Sequence, residues 1–332
     1  MAVKIQDVAA RAEVSVGTVS NVLNGRATVS TATAERVRAA IDTLGYVRNG
    51  AARQLRAGRS RSIALIVLDV GNPFFAAVAR GAEARAAEDG YVVLLGSSGG
   101  DGDRERLYLD EFREQRVAGV LLTPTDADGD VACHLASAGV PVVLVDGRTA
   151  GGDVCAVSVD DVEGGYLAVA HLLAQGRRRI SFVAGPLSTC QVADRLAGAR
   201  RAVAEVEGAA LEIVETDAMT VLAGRAAGER LRARDDKPDA VFAANDLLAV
   251  GVLQALTILG DIRVPDDIAL VGYDDIDFAA AAVVPLTSVR QPAEALGSTA
   301  VDLLLRQLDG ALDSADRQVR FRPELVVRAS SA

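Results

Sequence analysis

Little in this chain is equipped for covalent chemistry. Its 332 residues include two histidines, His134 and His171, and three cysteines, Cys133, Cys155 and Cys190, an odd number at no metal-ligand spacing. The thiols read as reduced structural residues, and neither metal nor cofactor is expected. The loop Gly96-Ser97-Ser98-Gly99-Gly100-Asp101-Gly102 follows a strand and has the glycines to cradle a phosphate, so a sugar- or nucleotide-processing enzyme is one alternative. That loop lacks the Gly-Lys-Ser/Thr ending of a P-loop and the spacing of a dinucleotide loop. No nucleophile has a base, because His171 sits in the apolar helical run 166–173. What remains is a set suited to recognition. Asp146, Asn245 and Asp274 close apolar strands, and Arg195 opens a helix after a glycine-containing loop. A guanidinium fork, an amide and carboxylates match hydroxyl groups or base edges. Phe74 and Phe75 add an aromatic face. Simple turn caps are the lesser alternative for Asp274 and Asn245, and one of the two phenylalanines suits the core.

Alternating elements must hold these residues in place. Apolar strands at 63–68, 91–95, 119–122 and 141–145 are separated by helical stretches, and the pattern restarts with strands near 180–184, 211–214, 240–244 and 268–272. Continuous apolar strands between helices of ~10–15 residues predict a parallel sheet covered on both faces. Two doubly wound units therefore follow one another, and a small ligand belongs in their shared cleft at the strand carboxyl ends.

The first 60 residues are different. They carry nine basic side chains against four acidic ones, a balance of +5, while the other 272 residues carry −15, so the net charge of −10 hides a basic head on an acidic body. Such a head favours a polyanion partner over an ordinary solvated surface. Ile5, Val8, Ala9 and Ala12 share one helical face, Ser15 caps a second run containing Val19, Val22 and Leu23, and a third helix runs from Ser30 to about Leu44 with Gly45 as its natural stop. Two short helices so close in sequence must cross steeply, which is a helix-turn-helix.

The strings Ile5-Gln6-Asp7-Val8-Ala9, Val14-Ser15-Val16-Gly17-Thr18-Val19-Ser20-Asn21-Val22-Leu23-Asn24-Gly25, Val29-Ser30 and Leu44-Gly45-Tyr46 resemble the DNA-binding head of the lactose-repressor (LacI/GalR) family of bacterial transcription regulators. The resemblance implies that the second helix enters the major groove, with Val16, Gly17 and Asn21 at the base-reading positions and Ser15 and Thr18 beside them. Asn21 stands where the family often has arginine, and asparagine suits adenine over guanine. Gly17 offers no side chain, which shifts weight to phosphate contacts and DNA shape. Glu13 occupies a turn position usually held by Gly or Asn. The segment Asn49-Gly50-Ala51-Ala52-Arg53-Gln54-Leu55-Arg56 resembles the hinge helix, too short to hold alone, with Asn49, Ala52, Arg53 and Leu55 toward DNA and Leu55 as the minor-groove wedge. A plain linker is the alternative.

The body resembles the periplasmic-binding-protein-like core of the same family, through Asn72-Pro73-Phe74-Phe75, Gln115-Arg116-Val117-Ala118-Gly119-Val120, Glu163-Gly164-Gly165, Arg195-Leu196-Ala197-Gly198, Ala244-Asn245-Asp246, Gly272-Tyr273-Asp274-Asp275 and 285–292 in family order. On that resemblance Phe74, Phe75, Asp146, Arg195, Asn245 and Asp274 bind the effector. An aromatic common in the loop after Val214 is replaced by Thr216-Asp217-Ala218-Met219, so one stacking wall is missing.

The expected organisation is an all-α helix-turn-helix head (1–48), a hinge helix and linker (49–62), and an α/β body of two doubly wound parallel-sheet subdomains, 63–159 plus 290–318 and 160–289 plus 319–332. The expected function is a transcription regulator, foremost a repressor, that binds a near-palindromic operator in double-stranded DNA as a homodimer. A small effector controls it: first a sugar or polyol, second a nucleobase-like or other polar metabolite. An exported sugar-binding protein fits the body but not the head, and Lys4, Asp7, Arg11 and Glu13 stand where a signal peptide is apolar. Uncharged runs such as 247–260, of 14 residues, fall short of the ~20 that span a bilayer. A cytoplasmic protein without membrane contact is expected. The tail 329–332 carries no leucine heptad, which predicts a dimer and no tetramer.

Overall fold

The computed structural model describes residues 3–23, 29–46, 60–125, 129–148, 154–258, 261–313 and 316–332, and the chain divides into two compact units, 1–60 and 61–332. In the first, helices α1 (Ile5–Arg11), α2 (Val16–Leu23) and α3 (Thr31–Leu44) close over Val8, Ala9, Ala12, Val19, Val37 and Ala40. The turn between α1 and α2 is fixed by the Val14 N–H donating to the Ala9 carbonyl at 3.0 Å. Glu13, within it, is left-handed at φ 53°, a conformation that costs a residue with a Cβ roughly 1 kcal/mol. The Ser15 hydroxyl accepts from the Thr18 N–H at 3.1 Å and starts α2. Ser30 caps α3 in the same way, and Gly45, at φ 61°, ends it.

The second unit contains two sheets. In one, β1 (Ser62–Val67), β2 (Val92–Ser97), β3 (Gly119–Leu122), β4 (Val142–Val145), β5 (Cys155–Val159) and β11 (Gln318–Phe321) lie parallel in the order β11-β5-β4-β3-β1-β2. In the other, β6 (Arg179–Ala184), β7 (Ala210–Glu215), β8 (Ala240–Ala243), β9 (Ala269–Asp274) and β10 (Thr287–Arg290) are parallel and β12 (Glu324–Val326) runs antiparallel at the edge, in the order β12-β10-β9-β8-β6-β7. Helices α4 (Pro73–Glu88) and α12 (Ala293–Leu308) cover one face of the first sheet, and α5 (Gly102–Glu114) and α6 (Asp130–Ser137) cover the other. Helices α7 (Asp161–Ala174), α8 (Cys190–Ala204), α9 (Val221–Arg232) and α10 (Asp246–Thr257) share one core with the second sheet, and the short α11 (Asp277–Ala281) packs beside α10.

The chain passes between subdomains three times: after β5, after β10 and after β11. The last passage falls later than the expected boundary at 318/319. Val319, Arg320 and Phe321 stay in the first sheet because they pair in register with Val157, Ser158 and Val159. Strands β5, β10, β11 and β12 were not among those expected from apolar runs. Strand β10 reads Thr-Ser-Val-Arg, and its Thr and Ser are buried because partners meet them: Ser288 donates to Asp246 at 2.7 Å and Thr287 to the Arg328 carbonyl at 3.0 Å.

Candidate functional site

At the start of α2, Ser15, Val16 and Gly17 are exposed, while Thr18 and Asn21 are partly buried one turn along the same helix. A helix N-terminus with exposed small and polar side chains is suited to lie against phosphates and base edges. Asn49, Ala52, Arg53 and Leu55 lie outside the described residues.

In the body, the six expected effector residues line one cavity. Phe74, Phe75 and Asp146 come from the first subdomain, Arg195, Asn245 and Asp274 from the second, and Leu68, Asn72, Thr189, Gln191 and Met219 complete the wall. Local structure explains the placement. Asn72 caps α4 by accepting from the Phe74 N–H at 3.0 Å, and Pro73 is preset for the first helical position. The two phenyl rings then meet edge to face, 5.0 Å apart at 68°. Both are buried in the core and both also face the cavity, so neither belongs to the core alone.

Arg195 does not open its helix. It is the sixth residue of α8, which begins at Cys190. Helix α8 crosses α7 backbone to backbone, since a methyl on Gly165 would strike the Arg195 carbonyl and one on Gly198 the Val162 carbonyl. That contact brings the guanidinium over the Tyr273 ring, 3.7 Å from its centre, with Nε donating to Asp161 at 2.7 Å and Nη1 to the Ala244 carbonyl at 2.7 Å. Arg195 is 4% exposed. Burial works against its charge, but Asp161 foremost, then Tyr273, Asp274 and Asp146, outweigh it and hold its pKa above the ordinary value.

The carboxylates are less balanced. Burial and then the nearby Asp161 push the Asp146 carboxyl well above the usual range, against the pull of Arg195. Its Oδ1 is buried without a hydrogen-bond partner, and its backbone is left-handed at φ 53°. Burial also raises Asp274, which Arg195, Asn72 and Gln291 offset in part. Asp274 is not a turn cap. It accepts from Asn72 at 3.0 Å and from Gln291 at 2.8 Å, at φ 102°. Asn245 is a cap, its Oδ1 accepting from the Leu248 N–H at 2.9 Å, while its amide donates to the Met219 carbonyl at 3.3 Å beside the cavity. Strained backbone gathered at a cleft marks a place where geometry is held for a purpose.

At the cavity two residue pairs bridge the subdomains: Asn72 donates to Asp274, and the Gln191 amide donates to the Asp146 carbonyl and, at 3.3 Å, to its Oδ2. Asn72, Gln191, Gln291, Asp161 and Met219 were not among the expected site residues. The Asn-Pro pair at 72–73 carried a cap signal for the first of them. Met219 fills the wall where an aromatic was expected to be missing. The cavity measures about 30 Å³, far below the roughly 300–1,000 Å³ of typical small-molecule pockets.

The glycine loop after β2 does not offer its donors to a phosphate. The Gly99 N–H donates to the Leu68 carbonyl at 2.6 Å, and Asp101 already caps α5 with its carboxylate at 2.8 Å from the Asp103 N–H. Burial pushes the Cys190 thiol up to about 12, which removes it as a nucleophile. His171 meets the Ser331 hydroxyl at 2.8 Å. Among the described residues no cluster of His, Cys, Asp and Glu could hold a metal, and no helix is long and apolar enough to cross a membrane.

Residues 4–49 match the family described as bacterial regulatory proteins, lacI family, and residues 169–331 match the periplasmic binding protein-like domain. The chain is 35% identical to the HTH-type transcriptional repressor PurR of Photobacterium profundum, over 98% of both chains. Its fold is similar to that of the lac repressor dimer bound to operator and the anti-inducer ONPF, with a TM-score of 0.84, 29% identity and coverage of 100% and 99%. It is similar also to the transcriptional regulator CelR in complex with cellobiose, with a TM-score of 0.73, 34% identity and coverage of 99% of each chain.

Proposed function

We propose that this chain, which belongs to the lacI family of bacterial regulatory proteins, is a DNA-binding transcriptional repressor of the cytoplasm whose operator affinity is set by a small polar effector in the cleft. The observation that carries the reading is convergence: residues of both subdomains line one cavity, and hydrogen bonds from Asn72 to Asp274 and from Gln191 to Asp146 bridge it. The effector contacts are Phe74, Phe75, Asp146, Arg195, Asn245 and Asp274. A cavity of about 30 Å³ cannot take a sugar without remaking the Asn72–Asp274 and Gln191–Asp146 contacts, so binding must alter the spacing of the subdomains. Differential affinity for two spacings is what lets a ligand shift the equilibrium between them.

In the head, Val16, Gly17 and Asn21 are the base-reading positions, and Ser15 and Thr18 present hydroxyls suited to phosphate oxygens. Leu55 is the minor-groove wedge of a hinge that also uses Asn49, Ala52 and Arg53. Two heads reading two half-sites require a homodimer and a near-palindromic operator. Selection of duplexes from a randomised pool by the full chain tests this directly. Recovery of a near-palindrome, with affinity falling steeply as salt rises, is the expected result. Recovery of no common sequence would refute operator recognition.

A further inference from the structure

Two residues in succession hold left-handed backbone at the end of β9: Asp274 at φ 102° and Asp275 at φ 55°. Neither is glycine, and such backbone persists only where its surroundings over-determine it. The two carboxylates have different partners. Asp274 accepts from Asn72 of the first subdomain and from Gln291, while the buried carboxylate of Asp275 is met by cations of the second subdomain.

What holds this turn lies on Asp275 and its successor. The Asp275 N–H donates to the Ser288 hydroxyl at 3.1 Å, and the Ile276 N–H donates to Asp246 at 2.9 Å. Two guanidinium groups meet the Asp275 side chain: Arg290 Nε donates to Oδ2 at 2.8 Å, and Arg328 Nη1 lies 2.6 Å from Oδ1. They are not equivalent. The Arg290 side chain is 50% exposed and has Glu324 at 3.8 Å as a second partner, so water and a competing charge weaken its hold. The Arg328 side chain is 19% exposed, and its Nη1 also donates to the Leu286 carbonyl at 2.8 Å. A pair in such surroundings is screened far less.

The segment that carries Arg328 is itself fixed. The Arg328 N–H donates to the Thr287 hydroxyl at 2.8 Å. Two residues on, the fully buried Ser330 accepts from the Thr287 N–H through its hydroxyl and from the Leu270 N–H through its carbonyl, both at 2.8 Å. Strands β9 and β10 thus anchor the segment from which the guanidinium reaches Asp275.

We propose that Arg328 is a positioning residue of the cleft: through Asp275 it holds the turn that presents the Asp274 carboxylate to Asn72 and Gln291, so a residue outside the cavity wall sets a contact between the subdomains. The value of this contact to an effector rests on the cleft being the effector site, whereas the contact itself is measurable without a ligand.

The side-chain amides of Asn72 and Gln291 report it in nitrogen-resolved NMR of the full chain, each assigned by its loss in Asn72→Ser or Gln291→Ser. Bonded to Asp274, both are protected from exchange with water, and Arg328→Gln should speed that exchange by at least about tenfold. Asp275→Asn keeps a residue tolerant of left-handed backbone and should have the same effect, with nothing added in the double variant. Arg328→Lys retains the charge and should restore most of the protection. Arg85→Gln breaks the Arg85–Asp302 ion pair between α4 and α12 and should leave both amides as they were, which separates positioning from a general loss of stability. Should Arg328→Gln fail to fold, Asp275→Asn decides alone. Amides that keep the unmodified protein's exchange rate in these variants, losses that multiply in the double variant, or the same acceleration in Arg85→Gln would overturn the proposal and leave the cleft reading standing. Failure of the cleft reading has a different mark: an effector response that survives Asp274→Ala.

Discussion

Asp146 combines three unusual properties: a buried carboxyl, an unpartnered oxygen and a left-handed backbone. Its folded-state pKa is raised by burial and by Asp161, so the native state holds its proton at pH values where the unfolded chain has lost it. Stability must then fall as pH rises from the unfolded carboxylate pKa toward the folded one. Asp274 and Asp246 have the same sign. Asp146→Asn removes the largest imbalance in the cleft. Its stability at pH 7 should match or exceed that of the unmodified protein, instead of falling by the ~1 kcal/mol typical of a substitution, and its gain on acidification should shrink. Urea unfolding at pH 5 and pH 7 reads both, and a variant less stable at pH 7 with an unchanged pH profile would contradict the assignment. Arg195 behaves oppositely. Its removal leaves Asp161 buried without its partner, so Arg195→Ala should cost ~3–5 kcal/mol and is a poor probe of effector binding alone. At the DNA face, Asn21→Ala should relax preference at one base per half-site by ~1–3 kcal/mol, measured across an operator library. Unchanged preference would remove Asn21 from the readers. The ends of apolar strands announced Asp146, Asn245 and Asp274 in the sequence. Asn72, Gln191 and Gln291 stayed hidden because a neutral amide has no characteristic neighbourhood, and the Asn72–Asp274 bond links residues 202 positions apart.

Helix pairing decides whether these residues converge. Helices α7 and α8 touch through Gly165 and Gly198, and the same close approach sets Arg195 over Tyr273 beside Asp161. Gly198→Ala forces the Val162 carbonyl away, which should cost ~1–3 kcal/mol as overpacking and weaken effector binding by moving the guanidinium. Denaturation together with ligand titration checks it, and a variant of full stability would show that the crossing is not tight. Periodicity made most of the helices and the central strands legible, because each buries a continuous apolar face. It failed at β5, β10, β11 and β12. These strands lie next to the passages between subdomains or at sheet edges, where partners from distant segments satisfy polar residues such as Thr287 and Ser288. The boundary expected at 318 failed for the same reason, since the pairing of β11 with β5 is nonlocal.

For the molecule as a whole, the division into a basic head and an acidic body was readable from charge alone, and the order of motifs placed both in one family. The geometry of the cleft was not, because it depends on three passages of the chain between sheets. Large apolar side chains are exposed on both subdomains, among them Val92, Leu95 and Leu107 on the first and Leu222, Phe278 and Val283 on the second, and two heads are needed to read two half-sites. The body should therefore form a dimer that persists when residues 1–60 are removed, with no tetramer at micromolar concentration. Light scattering showing a monomeric body, or a stable tetramer, would contradict this assembly. Coupling between cleft and operator, where it exists, is reciprocal by linkage. The most direct measurement is operator affinity of the full chain with and without a saturating cleft ligand, set beside ligand affinity with and without operator. Both should change by one common factor, on the order of 5–150-fold, and Asp274→Ala should abolish the change. A ligand that binds in the cleft while operator affinity stays the same would contradict the coupling.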